Sequence, residues 1–298
     1  VLSTIVVTFF NGLANGAAVI IAQYYGAKDR KSLHVGLHTA YLFSIVISLI
    51  VSLVGTVLTP WLLTIMNTPQ DMMADSTIYL RIYFMGILFT LVYNMGAAIM
   101  RAVGDSRRPL LYLLVCCVMN IILDIVMVVG MKMGIAGAAL ATVIGQFMGC
   151  LAGMLINKKW NPEIPFAFTL KPDWESVREI IKVGFPSTLV QIFTSVVNMA
   201  MNAIVITFSS TAVAAFGICT KIQNITTVGV HGITNGLIPI VAYNYGAKQH
   251  ARVKKLYELT LIMSAAIMAA GTVICLFASR PLMQLFTSNP ETVAIGQT

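Results

Sequence analysis

The chain has 298 residues, of which 58% are hydrophobic and 10% are charged, and it carries a net charge of +8 and a mean hydropathy of +0.85. This composition excludes an ordinary soluble domain with a single core. Crossing about 30 Å of hydrocarbon requires helices of about 20 apolar residues or a closed barrel, because lipid satisfies no backbone polar group. The period-two alternation of barrel strands is absent from the sequence. We therefore predict an all-α, polytopic membrane protein.

Apolar runs between charged or Gly/Pro segments predict eight membrane-spanning helices in chain order. They cover residues 1–24, 36–58, 78–100, 110–130, 135–156, 184–206, 212–244 and 256–278. Of the 19 Lys and Arg, 15 lie in the alternate connections 25–35, 101–109, 157–183 and 245–255. The positive-inside rule places these loops in the cytoplasm and predicts a multi-pass protein of the cell inner or plasma membrane. The positive charge is thus explained by topology, and no nucleic-acid partner is predicted.

An internal repeat relates two parts of the chain. Residues 11–28 align with residues 231–248 at a constant offset of 220, and nine of the 18 aligned pairs are identical. Both copies end in Tyr-Gly-Ala-Lys. Because glycine readily takes the left-handed conformation that ends a helix, we expect it at Gly26 and Gly246.

The repeat divides the chain into two lobes. Completing each copy from the other predicts twelve helices in two six-helix bundles, related as a parallel repeat by a pseudo-twofold axis. Residues 1–156 form the N-terminal lobe without its first helix, 157–183 a cytoplasmic linker, and 184–298 the C-terminal lobe without its last three helices. In the linker, we expect Asp173 to cap a short helix lying on the membrane interface.

Five segments, taken in their order and spacing, resemble the bacterial multidrug and toxic compound extrusion (MATE) transporters. They are residues 25–28, 245–248, 97–109, 120–124 and 134–142. The resemblance covers essentially the whole chain, from the family's second helix to just before its tenth, and implies truncation at both ends. It implies multidrug efflux by alternating access, in which a Na⁺- or H⁺-coupled antiporter exports amphipathic, cationic drugs or toxic compounds. Such a protein is no enzyme, has no cofactor besides the coupling ion, and has small molecules and the lipid bilayer, but no obligatory protein, as partners.

Asp124 is the acidic residue deep inside a predicted span, about 9 Å from the outer end at the helical rise. Thr142 lies about 10 Å along the returning helix, and Asn120 precedes Asp124 by one turn on the same face. A carboxylate, an amide oxygen and a hydroxyl suit Na⁺, whereas the carboxylate alone can carry a proton. The alternative is that Asp124 only forms a hydrogen bond between helices. The family resemblance implies the same three residues as a coupling-ion site, completed by an Asp upstream of Val1.

Six further positions are candidates for lining a substrate cavity. They are Tyr79, Asn94, Gln191, Thr194, Asn198 and Lys221. The resemblance implies this role for the first two by their spacing. Thr194 stands where another branch of the family has an acid, which argues against a coupling site of that kind in the second half. Lys221 lies about 13 Å inside its span, where it either lines the cavity or snorkels to the interface.

Three other functions are alternatives to drug antiport. A lipid-linked oligosaccharide flippase of the same superfamily is the main alternative, although it typically needs a more basic cavity. A major-facilitator transporter also has parallel repeats, but residues 246–252 lack the full loop signature of that family. A membrane-embedded enzyme would need paired acids or a nucleophile with its base at membrane depth, and the sequence offers no such set.

Overall fold

A computed structural model describes residues 2–66, 68–160, 172–287 and 289–296, and its regular structure is helical. The helices are α1 (Leu2–Gly26), α2 (Arg30–Ile65), α3 (Gln70–Ala102), α4 (Arg107–Asp124), α5 (Gly134–Trp160), α6 (Trp174–Val205), α7 (Ser210–Gly246), α8 (His250–Gln284) and α9 (Pro290–Gly296). A π-helical segment, Ile125–Gly130, extends α4. In this part of the chain, eight helices are long and apolar enough to cross a membrane. The predictions of an all-α fold and of eight spans are therefore confirmed.

Several helices continue beyond their predicted spans. α2 begins at Arg30 and passes through Pro60, and α8 passes through Pro281 after a kink at Ala278. The sequence prediction ended each span at a charge or a proline. Lipid head groups, however, can solvate charged residues in the outer turns of a long helix, and a proline is accommodated by a local kink.

The chain divides into two compact units, Val1–Leu189 and Val190–Thr298, and the boundary falls inside α6. In unit 1, α3 packs against α1, α2 and α5, and α4 packs against α5. Apolar residues of α2 and α3 form a buried cluster: Leu63, Leu80, Phe84, Ile87 and Leu91. In unit 2, α7 packs against α8 and α9.

The first half of α6 lies against α1 along a seam of small residues. Gly12 of α1 faces Thr188, and Gly16 faces Gly184. A Cβ atom at Gly16 would lie 2.6 Å from the Gly184 nitrogen, so the two backbones are too close at this level for a side chain on Gly16. Small residues permit such contacts between helices in lipid.

The predicted short helix after Asp173 is wrong, because α6 is continuous from Trp174 to Val205 with Pro186 inside it. Of the four apolar residues expected on the membrane interface, Val177 and Ile180 are buried, whereas Trp174 and Ile181 are exposed. Close packing on α1 holds this stretch in the helix, and the Tyr24 hydroxyl donates a hydrogen bond to Glu179 Oε2 at 2.9 Å. Residues 161–171 of the predicted linker lie outside the described residues.

Asp173 does cap α6, and its removal is expected to destabilise the helix start. The Ser176 amide and hydroxyl donate to Asp173 Oδ2 at 2.9 and 2.7 Å, and these hydrogen bonds lower the pKa of the carboxyl below its usual value. Asp173→Ala should therefore cost about 0.5–1 kcal/mol, measured by thermal unfolding, whereas Asp173→Asn should retain most of the cap. Because the pKa is lowered, this stabilisation is present at neutral pH and is lost as the pH falls through the folded-state pKa. An Ala variant as stable as the Asn variant would contradict the assignment.

Both helix exits of the repeat have the same backbone geometry, but not at the predicted glycines. Lys28 and Lys248 are the left-handed residues, with φ of 58° and 60°, whereas Gly26 and Gly246 are the last residues of their helices. The next amide donates to the carbonyl five residues earlier, at 3.1 Å after Lys28 and 2.8 Å after Lys248. In this type of helix end, the left-handed residue directly follows the C-cap. The C-caps are Ala27 and Ala247, so the left-handed residues are the lysines, and the prediction for both glycines is wrong. The twelve-helix count and the pseudo-twofold axis stay predictions.

Candidate coupling-ion site

α4 and α5 pack antiparallel along a row of glycines one turn apart. Gly145, Gly149 and Gly153 of α5 face, in that order, Asn120, Cys116 and Tyr112 of α4. The Cβ positions at these glycines lie 3.2 Å from Asn120 Cβ, 3.0 Å from Cys116 Cβ and 3.4 Å from a ring carbon of Tyr112. Because these glycines have no side chains, Asn120 packs directly against the backbone of α5.

The same register fixes the level of Asp124. About two turns beyond Asn120, the start of α5 meets the π-helical segment, where a Cβ at Gly137 would lie 3.2 Å from the Met127 carbonyl oxygen. Asp124 lies on α4 between these two contacts, and Thr142 lies between them on α5. Asp124, Asn120 and Thr142 therefore lie at neighbouring levels of the α4–α5 pair, and their joint role as an ion site stays a prediction.

Asp124 is the last residue of α4, immediately before the π-helical segment. Its side chain is partly buried. Within the described ranges, its carboxylate forms neither a hydrogen bond nor an ion pair. π-helical turns often mark functional positions, and here the turn changes the helix geometry beside the only acid of this span.

The two neighbours of Asp124 differ in their hydrogen bonds. Thr142 Oγ1 donates to the Ala138 carbonyl oxygen of its own helix at 3.0 Å. Asn120 Nδ2 is buried and has no hydrogen-bond partner in the described part of the chain. The interface thus holds an amide whose polar atoms are not satisfied by protein, together with an unpaired carboxylate one turn away.

Gln146 is a neighbour that the sequence analysis missed. Its Oε1 atom is buried and also lacks a hydrogen-bond partner among the described residues. Gln146 follows Thr142 by one turn on α5 and adjoins Gly145, which packs on Asn120. The four-residue spacing from Thr142 could have indicated it, because residues at that spacing share a helix face.

Tyr79 and Asn94, the cavity candidates of unit 1, are both partly buried on α3. The Tyr79 ring stacks on Tyr83 with centroids 6.3 Å apart, beside the buried cluster of α2 and α3. α3 reaches α5 through an edge-to-face contact of Phe89 with Phe147 at 4.9 Å. Neither candidate is among the nearest neighbours of the Cβ positions at Gly145, Gly149 and Gly153.

The cavity candidates of unit 2 lie on α6 and α7. Gln191 is partly buried, and Thr194, Asn198 and Lys221 are exposed within the described residues. Thr194 Oγ1 donates to the Val190 carbonyl oxygen at 2.9 Å. None of the four lines the groove of about 400 Å³ between α7, α8 and α9.

A sequence model of the MatE family matches residues 1–126 and 186–298 of the chain. The chain is 30% identical over 298 residues to the probable multidrug resistance protein YpnP of Bacillus subtilis, covering 99% of this chain and 67% of YpnP. It is 26% identical over 294 residues to the multidrug export protein MepA of Staphylococcus haemolyticus, covering 98% of this chain and 65% of MepA. The chain therefore spans about two thirds of the length of these relatives.

Solved structures show the same fold. The Vibrio cholerae MATE transporter VcmN in its bent form matches with a TM-score of 0.89 at 20% identity, over 98% of this chain and 67% of VcmN. A MOP superfamily transporter from Pyrococcus furiosus matches with a TM-score of 0.87 at 21% identity, over 99% of this chain and 66% of that protein. At these identities the likeness concerns the fold alone.

Proposed function

Because the chain belongs to the MatE family of multidrug and toxic compound extrusion transporters, we propose that the whole protein is a cation-coupled drug antiporter. It exports amphipathic, cationic compounds by alternating access, in exchange for Na⁺ or H⁺ entering the cell. Its basic loops lie in the cytoplasm. It works as a transporter and not as an enzyme, with the coupling ion as its only required small partner besides the substrate.

The observation that carries the coupling proposal is the partly buried, unpaired carboxylate of Asp124 within a membrane span. A charge inside hydrocarbon is costly, and such residues commonly mark ion or proton pathways. No cation of the described protein neutralises Asp124. A bound Na⁺ or a bound proton would neutralise the charge. An acid that served only to join helices would instead form a hydrogen bond with a donor on a neighbouring helix.

The surrounding groups suit a small hard cation. Asn120 lies one turn from Asp124, and Thr142 and Gln146 lie on α5, which packs against α4. A hard cation such as Na⁺ takes carboxylate and neutral oxygen ligands. Asn120 Nδ2 has no hydrogen-bond partner among the described residues. Rotating the amide by half a turn places Oδ1 at that position, where it can bind a cation, and the two orientations have the same shape. For H⁺ as the coupling ion, the carboxylate alone is sufficient. We assign the coupling-ion site to Asp124, Asn120 and Thr142, with Gln146 beside them.

The names of the relatives favour drug export. YpnP and MepA are described as multidrug resistance and multidrug export proteins, and we transfer this substrate class to the present protein. A lipid-linked oligosaccharide flippase is the less supported alternative, because a pyrophosphate-linked substrate calls for several cations. Lys221 is the single basic residue among our cavity candidates.

Transport into inverted vesicles tests the proposal. The whole protein is reconstituted, and uptake of a fluorescent cationic dye is followed with a Na⁺ gradient, a pH gradient or neither. We expect uptake that depends on one of the two gradients and collapses when that gradient is dissipated. Uptake driven by ATP without either gradient would refute antiport, and transport of an oligosaccharide lipid in place of the dye would favour the flippase.

A further inference from the structure

A small cavity lies inside unit 1, away from the candidate ion site. It has a volume of about 20 Å³ and lies where α2, α3, α4 and α5 meet, toward the end at which α3 leads into α4. Its lining includes Tyr41, Tyr112, Cys150, Asn157 and Gly96. A cavity of about 10–15 Å³ or more can hold a water molecule, so this one has room for about one.

The cavity is polar at several points of its wall. Tyr41, Cys150 and Tyr112 are 7%, 6% and 3% exposed, so their polar atoms are removed from solvent. The Tyr41 hydroxyl lies near α3, because a Cβ at Gly96 would be 3.3 Å from it. Asn157 adds an amide from α5. A bound water needs two to four polar partners, and these side chains offer that number within one small volume.

Tyr112 supplies the independent indication that something polar occupies the space. Its hydroxyl is buried and has no hydrogen-bond partner in the described part of the protein. Its ring lies against α5, with a carbon 3.4 Å from the Cβ position at Gly153, so the hydroxyl cannot swing out to solvent without losing this contact. Leaving a buried hydroxyl unsatisfied costs about 1–3 kcal/mol, which folded proteins usually avoid.

We propose that this cavity is a binding site for one ordered water molecule, which the Tyr112 hydroxyl holds together with Tyr41 and Asn157. The water contacts three helices, since Tyr41 belongs to α2, Tyr112 to α4 and Asn157 to α5. Gly96, Gly149 and Gly153 provide the room, because a larger side chain at any of them would project toward the cavity. The inference is independent of the proposed transport activity.

The sign of a stability change tests the proposal. If water occupies the site, Tyr112→Phe removes one of its hydrogen bonds, and the melting temperature of the purified whole protein should fall by about 2–4 °C. If the cavity is dry, the same substitution removes an unsatisfied buried hydroxyl, and the melting temperature should rise. Tyr83→Phe, on α3 outside the cavity, is the matched control and should change it little. A rise or no change for Tyr112→Phe would overturn the proposal.

Two further measurements do not depend on that variant. Cys150→Ser should be at least as stable as Cys150→Ala if the cavity is wet, and less stable if it is dry, because a serine hydroxyl needs a partner. Hydroxyl-radical labelling of the unmodified protein in ¹⁸O-enriched water should label Tyr112 despite its burial, with slow exchange of the isotope. Absence of this labelling would also overturn the proposal.

Discussion

Asp124→Asn is expected to reduce ion-coupled drug efflux to background while leaving the protein folded. Asparagine keeps the shape of the side chain and much of its hydrogen bonding, but it removes the negative charge. The charge is needed either to hold Na⁺ or to take up a proton, because an amide does neither at the strength of a carboxylate. The Asp124 carboxylate forms no hydrogen bond or ion pair with the described residues, so the stability of the fold should change little. The measurement is gradient-driven dye uptake into proteoliposomes, with melting temperature measured alongside.

Two companion variants sharpen this result. Asp75→Asn removes an exposed carboxylate near the start of α3, and it should transport normally. Thr142→Ala removes one neutral oxygen near Asp124, and it should raise the half-saturating Na⁺ concentration by about fivefold to tenfold, equivalent to about 1 kcal/mol. Normal coupled efflux by Asp124→Asn would refute the assigned ion site, although it would leave the family and the fold untouched.

Gly16→Ala is expected to separate α1 from α6. The added Cβ would lie 2.6 Å from both the Gly184 nitrogen and the Ile180 carbonyl oxygen, and these backbone atoms cannot rotate away as a side chain can. Overpacking of this kind costs about 1–3 kcal/mol. We expect a lower melting temperature together with faster amide hydrogen exchange over residues 180–188, measured by mass spectrometry.

A matched substitution distinguishes close packing from a general effect of replacing glycine. Gly130→Ala also adds one methyl group to a helical glycine of unit 1, but the nearest atom to its Cβ position is 3.9 Å away. This variant should be as stable as the unmodified protein or slightly more stable, because alanine favours helix over glycine. Equal exchange rates in the Gly16→Ala and Gly130→Ala variants would show that α1 and α6 do not touch at this seam.

The position of Asp124 illustrates what could be predicted about the candidate site. Its burial cost in a span, and its spacing from Asn120, follow from helical rise and from the lipid environment, both of which are local to the sequence. The level of Thr142 opposite Asp124 depends on how α4 slides along α5. That register is set by close contacts such as Gly145 on Asn120, and such contacts between separate helices leave no periodic signal in the chain.

The errors in the predicted helices have the same origin. α6 runs from Trp174 into the predicted span without a break because small residues of α1 lie against its first half, and the local sequence does not contain that contact. Gln146 was missed because its significance depends on the burial of Oε1 without a partner, not on its residue type. The π-helical turn after Asp124 likewise has no signature in the surrounding apolar residues.

The sequence by itself determined that this protein is helical, that it has eight spans in the described chain, and that its family is that of the MATE transporters. The length of an apolar run must match the hydrocarbon thickness, and the spacing of the family motifs survives in the linear order of residues. Only the tertiary structure decided which lysines end the repeated helices in the left-handed conformation, which glycines meet another backbone, and where the cavity beside the buried Tyr112 hydroxyl lies. These features depend on distances between residues remote in sequence, and close packing fixes them only when the helices are assembled.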